Sequence, residues 1–277
     1  MAESMLVAQI TDCHVVAAGQ RFSSRVDTGA GLRAAVHQLN AMRPRPDVVL
    51  ATGDLVNDGE ATEYDHLAAI LAELEIELHA VPGNHDDRSL LRACLAQAPA
   101  GGPDDRIDYV VEDHPLRLIG LDTTVPGDHG GESHPDQMDW LDRQLASAPD
   151  RPTLIFQHHP PFSTGIAWMD DVGLRHAERQ AEVIERHAQV LAVICGHVHR
   201  PISTVIGRAA VSIAPSTGAQ VSLELDGTPY VYLDDTPAMA LHHWDGIRLR
   251  SHVVQIGDHH RWLPDWADED DATGAVP

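Results

Sequence analysis

The chain has 277 residues, 43% of them hydrophobic, enough to bury the core of one large domain or two small ones. Against 42 acidic residues stand 19 basic ones, a formal charge of −23. That balance argues against a surface built to grip a nucleic-acid polymer or an anionic membrane, both of which call for basic patches. A strand is expected over residues 5–10, a buried apolar run. Residues 31–42 carry Leu32, Ala35, Val36 and Leu39 at helical spacing, and residues 47–51 form a second strand. A helix over 62–74 puts Tyr64, Leu67, Ile70, Leu71 and Leu74 on one face, and a strand over 78–81 is stopped by Pro82-Gly83. A short helix over 89–97 and a loop over 98–105 lead to paired strands over 107–111 and 116–121. Pro135 suits the first turn of a helix over 135–146. A strand over 153–157, a helix over 174–187 and a strand over 191–195 follow.

Beyond residue 200 the pattern changes. Short alternating or β-branched runs over 202–206, 209–213, 229–233, 238–244 and 247–255 have no helix between them. They predict an antiparallel sheet of hairpins and meanders. The chain reads as one α/β domain over residues 1–264, with a mixed sheet and a second, more antiparallel one, followed by an acidic tail over 265–277. Cys13, Cys94 and Cys195 are odd in number and widely spaced, which does not read as a disulfide framework. No signal peptide opens the chain, and no run approaches the ~18 apolar residues that span a bilayer, so a cytoplasmic location is expected.

Polar residues recur just after predicted strands. The first strand runs into Asp12-Cys13-His14, the second into Gly53-Asp54, the third into Gly83-Asn84-His85-Asp86. Later strands run into His158-His159-Pro160-Pro161 and Gly196-His197-Val198-His199. In open α/β sheets ligands bind outside the carboxyl ends of strands, so five such ends would deliver their side chains to one rim. Asp12 and His14, like His197 and His199, are two apart, and in extended chain they would point the same way. Cys13 would then face the core. Taken singly each motif also reads as a cap, a turn or a solvated histidine pair; five in order, each after an apolar strand, do not. Oxygen and imidazole donors without a required thiolate suit Mn²⁺, Fe²⁺/Fe³⁺, Zn²⁺ or Co²⁺. Seven candidates are too many for one ion but fit two that share a carboxylate. Two divalent cations against two carboxylates would leave about +2 in the site, enough to receive an anion despite the overall charge.

The ordered set Asp12-x-His14, Gly53-Asp54, Gly83-Asn84-His85-Asp86, His158 and Gly196-His197-x-His199 resembles the calcineurin-like metallophosphoesterase superfamily, over residues 5 to 215. Gln38-Leu39-Asn40-Ala41-Met42-Arg43 and His158-His159-Pro160-Pro161 carry a closer likeness to class III cyclic-nucleotide phosphodiesterases and bacterial glycerophosphodiesterases, continuing toward Trp262-Leu263. The resemblance implies a four-layer α/β sandwich, two mixed β-sheets flanked by helices. It implies one metal on Asp12, His14, Asp54 and His199, and a second on Asp54, Asn84, His158 and His197, with Asp54 bridging. It implies attack on phosphorus by a metal-bridging hydroxide. His85 would not ligate but would serve the leaving group or the phosphate, with Asn84 and His199 also near the substrate, and Asn57 would support a ligand.

Small phosphodiesters, cyclic nucleotides or glycerophosphodiesters, are the expected substrates. A phosphomonoesterase is the nearest rival, and a non-catalytic metal-bound scaffold the other; every motif position is filled, which disfavours the scaffold. Ser163, Thr164 and Trp168 are candidates for the pocket wall, with a surface loop as the alternative. His242 and His243 could touch the substrate's organic group, with surface positions the commoner outcome. His259 and His260 carry no assigned role. A homo-oligomer is expected from the strand-rich last third and from the related enzymes.

Overall fold

The computed structural model describes residues 3–95 and 105–257. In chain order it forms β1 (Met5–Ile10), α1 (Thr28–Ala41), β2 (Val48–Thr52), α2 (Ala61–Leu71), β3 (Leu78–Val81), α3 (Arg88–Cys94), β4 (Tyr109–Val111), β5 (Arg117–Leu121), β6 (Thr124–Val125), β7 (Asp128–Glu132) and α4 (Pro135–Ala146). The second half adds β8 (Thr153–Gln157), α5 (Ala167–Asp170), β9 (Leu174–Arg175), α6 (Ala177–Arg186), β10 (Val190–Cys195), β11 (Ile202–Ile206), β12 (Ala209–Ile213), β13 (Gln220–Val221), β14 (Tyr232–Leu233), β15 (Ala238–Trp244) and β16 (Leu249–Gln255).

Two mixed sheets carry the fold, ordered β16-β15-β1-β2-β3 and β11-β12-β10-β8-β5-β4. Strands β1, β2 and β3 run parallel in the first, and β5, β8, β10 and β12 in the second. One core cluster takes Val7, Val49 and Ala51 from the first sheet and Leu118, Leu154, Phe156 and Ile194 from the second. Leu32 and Val36 of α1 and Leu67 and Ile70 of α2 belong to it as well. The adjacent residues Ile119, Ile155 and Val193 fall in a second cluster, with Met138 and Leu141 of α4 and Val183 and Ile184 of α6. Successive side chains of a strand point to opposite faces. The second sheet therefore packs one face on the first sheet and the other on α4 and α6, giving helix, sheet, sheet, helix. Burial on both faces is why these strands read as continuous apolar runs.

The late strands depart from expectation. They form the predicted hairpins, β11 with β12 and β15 with β16, but not a sheet of their own. β12 extends the second sheet beside β10, and β15 pairs antiparallel with β1 in the first. Each hairpin covers an otherwise open edge of a central strand, where unpaired N–H and C=O groups would be left. The strand expected over 229–233 shrinks to Tyr232–Leu233, paired with Gln220–Val221. The helix expected from 174 begins at Ala177, because Leu174 and Arg175 pair instead with Gly131 and Glu132. The loop over 98–104, His259, His260, Trp262-Leu263 and the acidic tail lie outside the described residues. No helix among the described residues is long and apolar enough to cross a membrane.

Candidate metal centre

The chain leaves β1, β2 and β10 through residues with left-handed backbone. Asp12 has φ 50°, His14 42°, Asp54 51°, His197 75° and His199 50°. The extended-chain reason for Asp12 and His14, or His197 and His199, facing one way is thus overturned, although the side chains do converge. Left-handed φ at a non-glycine residue costs on the order of 1–3 kcal/mol and persists only where surroundings impose it. Here they do. Asp12 N–H donates to Gly53 O (3.0 Å), His14 N–H to Asp54 O (2.9 Å) and Gly196 N–H to His158 O (3.0 Å). The intervening Cys13 and Val198 are buried in the two core clusters, as is Cys195. Gly53 (φ +90°) must be glycine twice over, since a Cβ there would also lie 2.5 Å from His158 Nδ1.

Two groups of donors meet at one carboxylate. Asp12, His14, Asp54 and His199 place one ligand atom each within 4.8 Å of one another. His199 Nε2 lies 3.4 Å from Asp12 Oδ1, and His14 Nε2 lies 3.6 Å from Asp54 Oδ2. On the other side Asn84 Oδ1 is 3.1 Å from both His158 Nε2 and His197 Nδ1. His158 Nε2 is 3.3 Å from the same Asp54 Oδ2. The second Asp54 oxygen, Oδ1, accepts from the backbone N–H of His85 at 2.9 Å.

Backbone carbonyls set the imidazole tautomers. His158 Nδ1–H donates to Thr52 O (2.8 Å) and His199 Nδ1–H to Ala219 O (2.8 Å). His14 Nδ1 faces Asn57 Oδ1 at 3.3 Å, the supporting contact expected of Asn57. Each ring so held turns its Nε2 lone pair inward. His14 Nε2 and His199 Nε2 then face each other at 3.1 Å, lone pair to lone pair. Such acceptor-on-acceptor contacts are unfavourable unless a cation lies among them. A proton serves one of them at most. Burial opposes protonation of His158, yet Asp54 and Asp12 raise it to about 9, so the one proton the donors share sits on its Nε2 beside Asp54, where a metal ion would displace it. Burial and the neighbouring imidazoles hold His14 and His197 well below the ordinary range, so both are neutral donors. Burial also disfavours the charge on Asp54, but the charge on His158 and its hydrogen bond outweigh it and keep its carboxyl ionised. Among the described residues neither Asp12 nor Asp54 has a guanidinium partner, only imidazoles. Buried carboxylates without a fixed cation, ringed by inward lone pairs, fit divalent metal ions.

His159 stands beside His158 and His197 but is not available as a ligand. Its Nδ1 meets the Thr123 hydroxyl at 2.8 Å and its Nε2 the His129 carbonyl at 3.1 Å. Both nitrogens are occupied, and burial lowers its pKa to about 3.

A cavity of ≈ 340 Å³ opens over the donors. His85 borders it, with Nδ1–H donated to Asn57 O at 2.6 Å. Trp168 lines the same cavity, and Ser163 and Thr164 do not. Their hydroxyls donate to Asp170 at 2.5 and 2.8 Å, closing the turn that leads into α5. His243 sits on β15 opposite Leu6, at the end of β1 away from Asp12, and takes no part in the cavity. His242 is fully buried rather than on the surface, bound to Gln9 Oε1 (3.0 Å) and Ser251 Oγ (2.7 Å). Met169, Val172, His129, Tyr230 and Tyr232 also line the cavity and went unrecognised in the sequence; the last three bring polar or aromatic groups. The Tyr230 ring lies tilted against Trp168 with centroids 5.1 Å apart, Tyr232 meets the His199 ring at 5.8 Å, and His129 Nδ1 lies 3.2 Å from Asn84 Nδ2. The spacing Tyr230-x-Tyr232 was a usable signal; His129, between Asp128 and Gly130, offered none.

Residues 5–201 match the family model described as calcineurin-like phosphoesterase. The chain is 34% identical over 235 residues to the glycerophosphodiester phosphodiesterase GpdQ of Enterobacter lignolyticus, covering 84% of this chain and 82% of that one. It is 35% identical over 217 residues to a cAMP/cGMP dual specificity phosphodiesterase of Mycobacterium tuberculosis, covering 76% and 67%. A dimetal phosphatase from Danio rerio shares the fold with a TM-score of 0.62 at 18% identity, over 91% of this chain and 99% of that one.

Proposed function

Because the chain belongs to the calcineurin-like phosphoesterases, we propose that it is a metal-dependent phosphodiesterase acting on small phosphodiesters at the rim of five strand ends. The observation that carries this reading is Asp54 Oδ2, which lies between His14 Nε2 and His158 Nε2 and so joins two groups of inward lone pairs. Asp12, His14, Asp54 and His199 would hold one divalent ion, and Asp54, Asn84, His158 and His197 the other. Mn²⁺, Fe²⁺/Fe³⁺, Zn²⁺ and Co²⁺ all suit this donor set. When bound, such a pair supplies Lewis-acid charge to phosphate oxygens and lowers the pKa of a water molecule.

The chain's own groups do the rest. His85 donates Nδ1–H to Asn57 O; a second proton, taken up at Nε2, can pass to the departing oxygen and leaves the ring neutral with Nδ1–H still bound. The Asn84 amide and His129 stand beside it at the cavity mouth and can hold a phosphate oxygen. Thr52 O, Ala219 O and Asn57 fix the imidazole planes, so no ring needs to reorganise when substrate arrives.

Within the class of small diesters, Trp168, Tyr230 and Tyr232 support a cyclic nucleotide, since an aromatic wall gives a base a stacking surface. The GpdQ likeness supports a glycerophosphodiester. Exposed Leu223, Leu225, Tyr230 and Leu233 near this wall support self-association with a second copy, which sedimentation velocity measures. A cytoplasmic enzyme fits three free thiols.

The test is hydrolysis of an activated phosphodiester by metal-stripped protein titrated with Mn²⁺, beside the matching monoester. Metal-dependent turnover favouring the diester is expected, followed by cAMP against a glycerophosphodiester. A monoester preference would make the protein a phosphatase, and inactivity with two ions bound would make it a scaffold.

A further inference from the structure

A second cluster of donor atoms lies away from the rim, at the opposite end of β3. Glu77 immediately precedes that strand and His79 lies within it, two residues apart on one face. The Glu77 carbonyl is pinned by Val49 N–H of β2 at 2.8 Å. His114 comes from the turn between β4 and β5, in the other sheet. That turn is clamped by Arg151, whose guanidinium donates to the His114 carbonyl at 2.9 Å and pairs with Glu112.

The three side chains point at one another. His79 Nε2 lies 3.1 Å from Glu77 Oε1 and His114 Nε2 lies 3.6 Å from Glu77 Oε2. One donor atom from each falls within 4.8 Å of the others. Both Nε2 atoms are buried and neither makes an aligned hydrogen bond. His79 is only 8% exposed, so water does not serve its nitrogen. Leaving two buried imidazole nitrogens without a partner is unfavourable.

Two imidazoles and a carboxylate are a donor set that first-row transition ions accept, zinc above all, with the remaining coordination left open. The Glu77 side chain is 44% exposed, so water can complete the shell. We propose that Glu77, His79 and His114 bind a divalent transition ion of the zinc class, separate from the ions of the phosphoesterase rim. Bound there, it cross-links the edge strand β3 of the first sheet to the β4–β5 turn of the second. It acts as a strut on the fold and touches no substrate.

The test compares wild type with Glu77→Gln and His114→Gln, each as the full chain equilibrated with zinc and freed of loosely held metal. Metal content per chain is measured by mass spectrometry, with thermal melting alongside. Wild type is expected to carry one more zinc per chain than either variant. Zinc is expected to raise its melting temperature further than theirs, and Mn²⁺-dependent diester hydrolysis is expected to be the same in all three. Glu77 is a partly exposed carboxylate, so Glu77→Gln keeps the comparison valid should His114→Gln fold poorly. All three proteins share the rim, so the difference reads the second site whatever the rim holds. Equal zinc content in wild type and Glu77→Gln would overturn the proposal and leave the cluster an ion pair between Glu77 and protonated imidazoles.

Discussion

Asp12, Asp54 and His158 sit on the ends of parallel strands, buried between two sheets, with backbone carbonyls or N–H groups on their side chains. Tyr230 and Tyr232 reach the same cavity from a stretch with little regular structure, and Tyr230 is 73% exposed. The rim is over-determined. Moving one ligand would break a sheet ladder, a left-handed turn and a hydrogen bond together. The aromatic wall is held by ring contacts such as Trp168 with Tyr230 and Phe22 with Tyr232. The difference teaches where each property resides: bond-breaking chemistry on the rigid strand ends, choice of organic group on the loops.

That contrast can be broken by experiment. The largest effect is expected from Asp54→Ala, which should abolish turnover and release both rim ions, beyond the ~10–100-fold typical of losing an outer partner of a ligand. Two ions retained at the rim in that variant, read by metal analysis, would remove Asp54 from the shared position. His85→Ala should lower kcat by ~10²–10⁴-fold while metal content stays as in wild type. Unchanged kcat would leave His85 a cavity-wall residue only.

A polar thread runs behind the rim. Gln9 donates from Nε2 to Thr52 Oγ1 and Cys195 O, both at 2.9 Å, and accepts from His242. Burial lowers His242 to about 4. The unfolded chain takes up this proton near pH ~6.5 and the folded chain only near pH 4, so stability falls as pH drops through that window. The loss attributable to His242 is about 3 kcal/mol at ~1.4 kcal/mol per pH unit. Urea unfolding of wild type and His242→Gln should show a steeper acid-side decline in wild type. Parallel declines would mean that His242 titrates normally.

The smallest effects sharpen the other side of the comparison. Trp168→Ala or Tyr232→Ala should weaken binding of a cyclic nucleotide by ~1–3 kcal/mol, the loss of one stacked base, seen in KM. KM for a glycerophosphodiester should move little, and kcat for neither. An equal rise for both substrates would show that the wall shapes the cavity without reading a base.

Much of the rim was legible because buried parallel strands announce themselves as short apolar runs. β3, α4, β8, β11, β12 and β15 begin and end where periodicity places them. The polar residues after such runs are few, so Asp12, Asp54, Asn84, His158 and His197 stand out without any knowledge of their neighbours. The direction of their side chains was not legible. It depends on left-handed turns imposed by carbonyls from another strand, as when Gly53 O accepts from Asp12 N–H. Ser163 failed as a pocket residue for a local reason that periodicity does not carry, the pull of Asp170 seven residues on.

By itself, then, the sequence determined the order of the longer elements, the family and the residues that meet at the rim, since each is written in local hydrophobicity and in motifs a few residues long; β6, β7, α5, β9 and β13 it did not show. Only the tertiary structure decided which sheet each late hairpin joins, that His242 is core and His243 lies away from the rim, that Tyr230 and Tyr232 face the cavity, and that His114 meets Glu77 and His79. The physical reason is range. Propensity and periodicity act over a turn or a strand, whereas these outcomes depend on pairings between segments tens to hundreds of residues apart, chosen by which strand edge is free and which buried polar atom needs a partner.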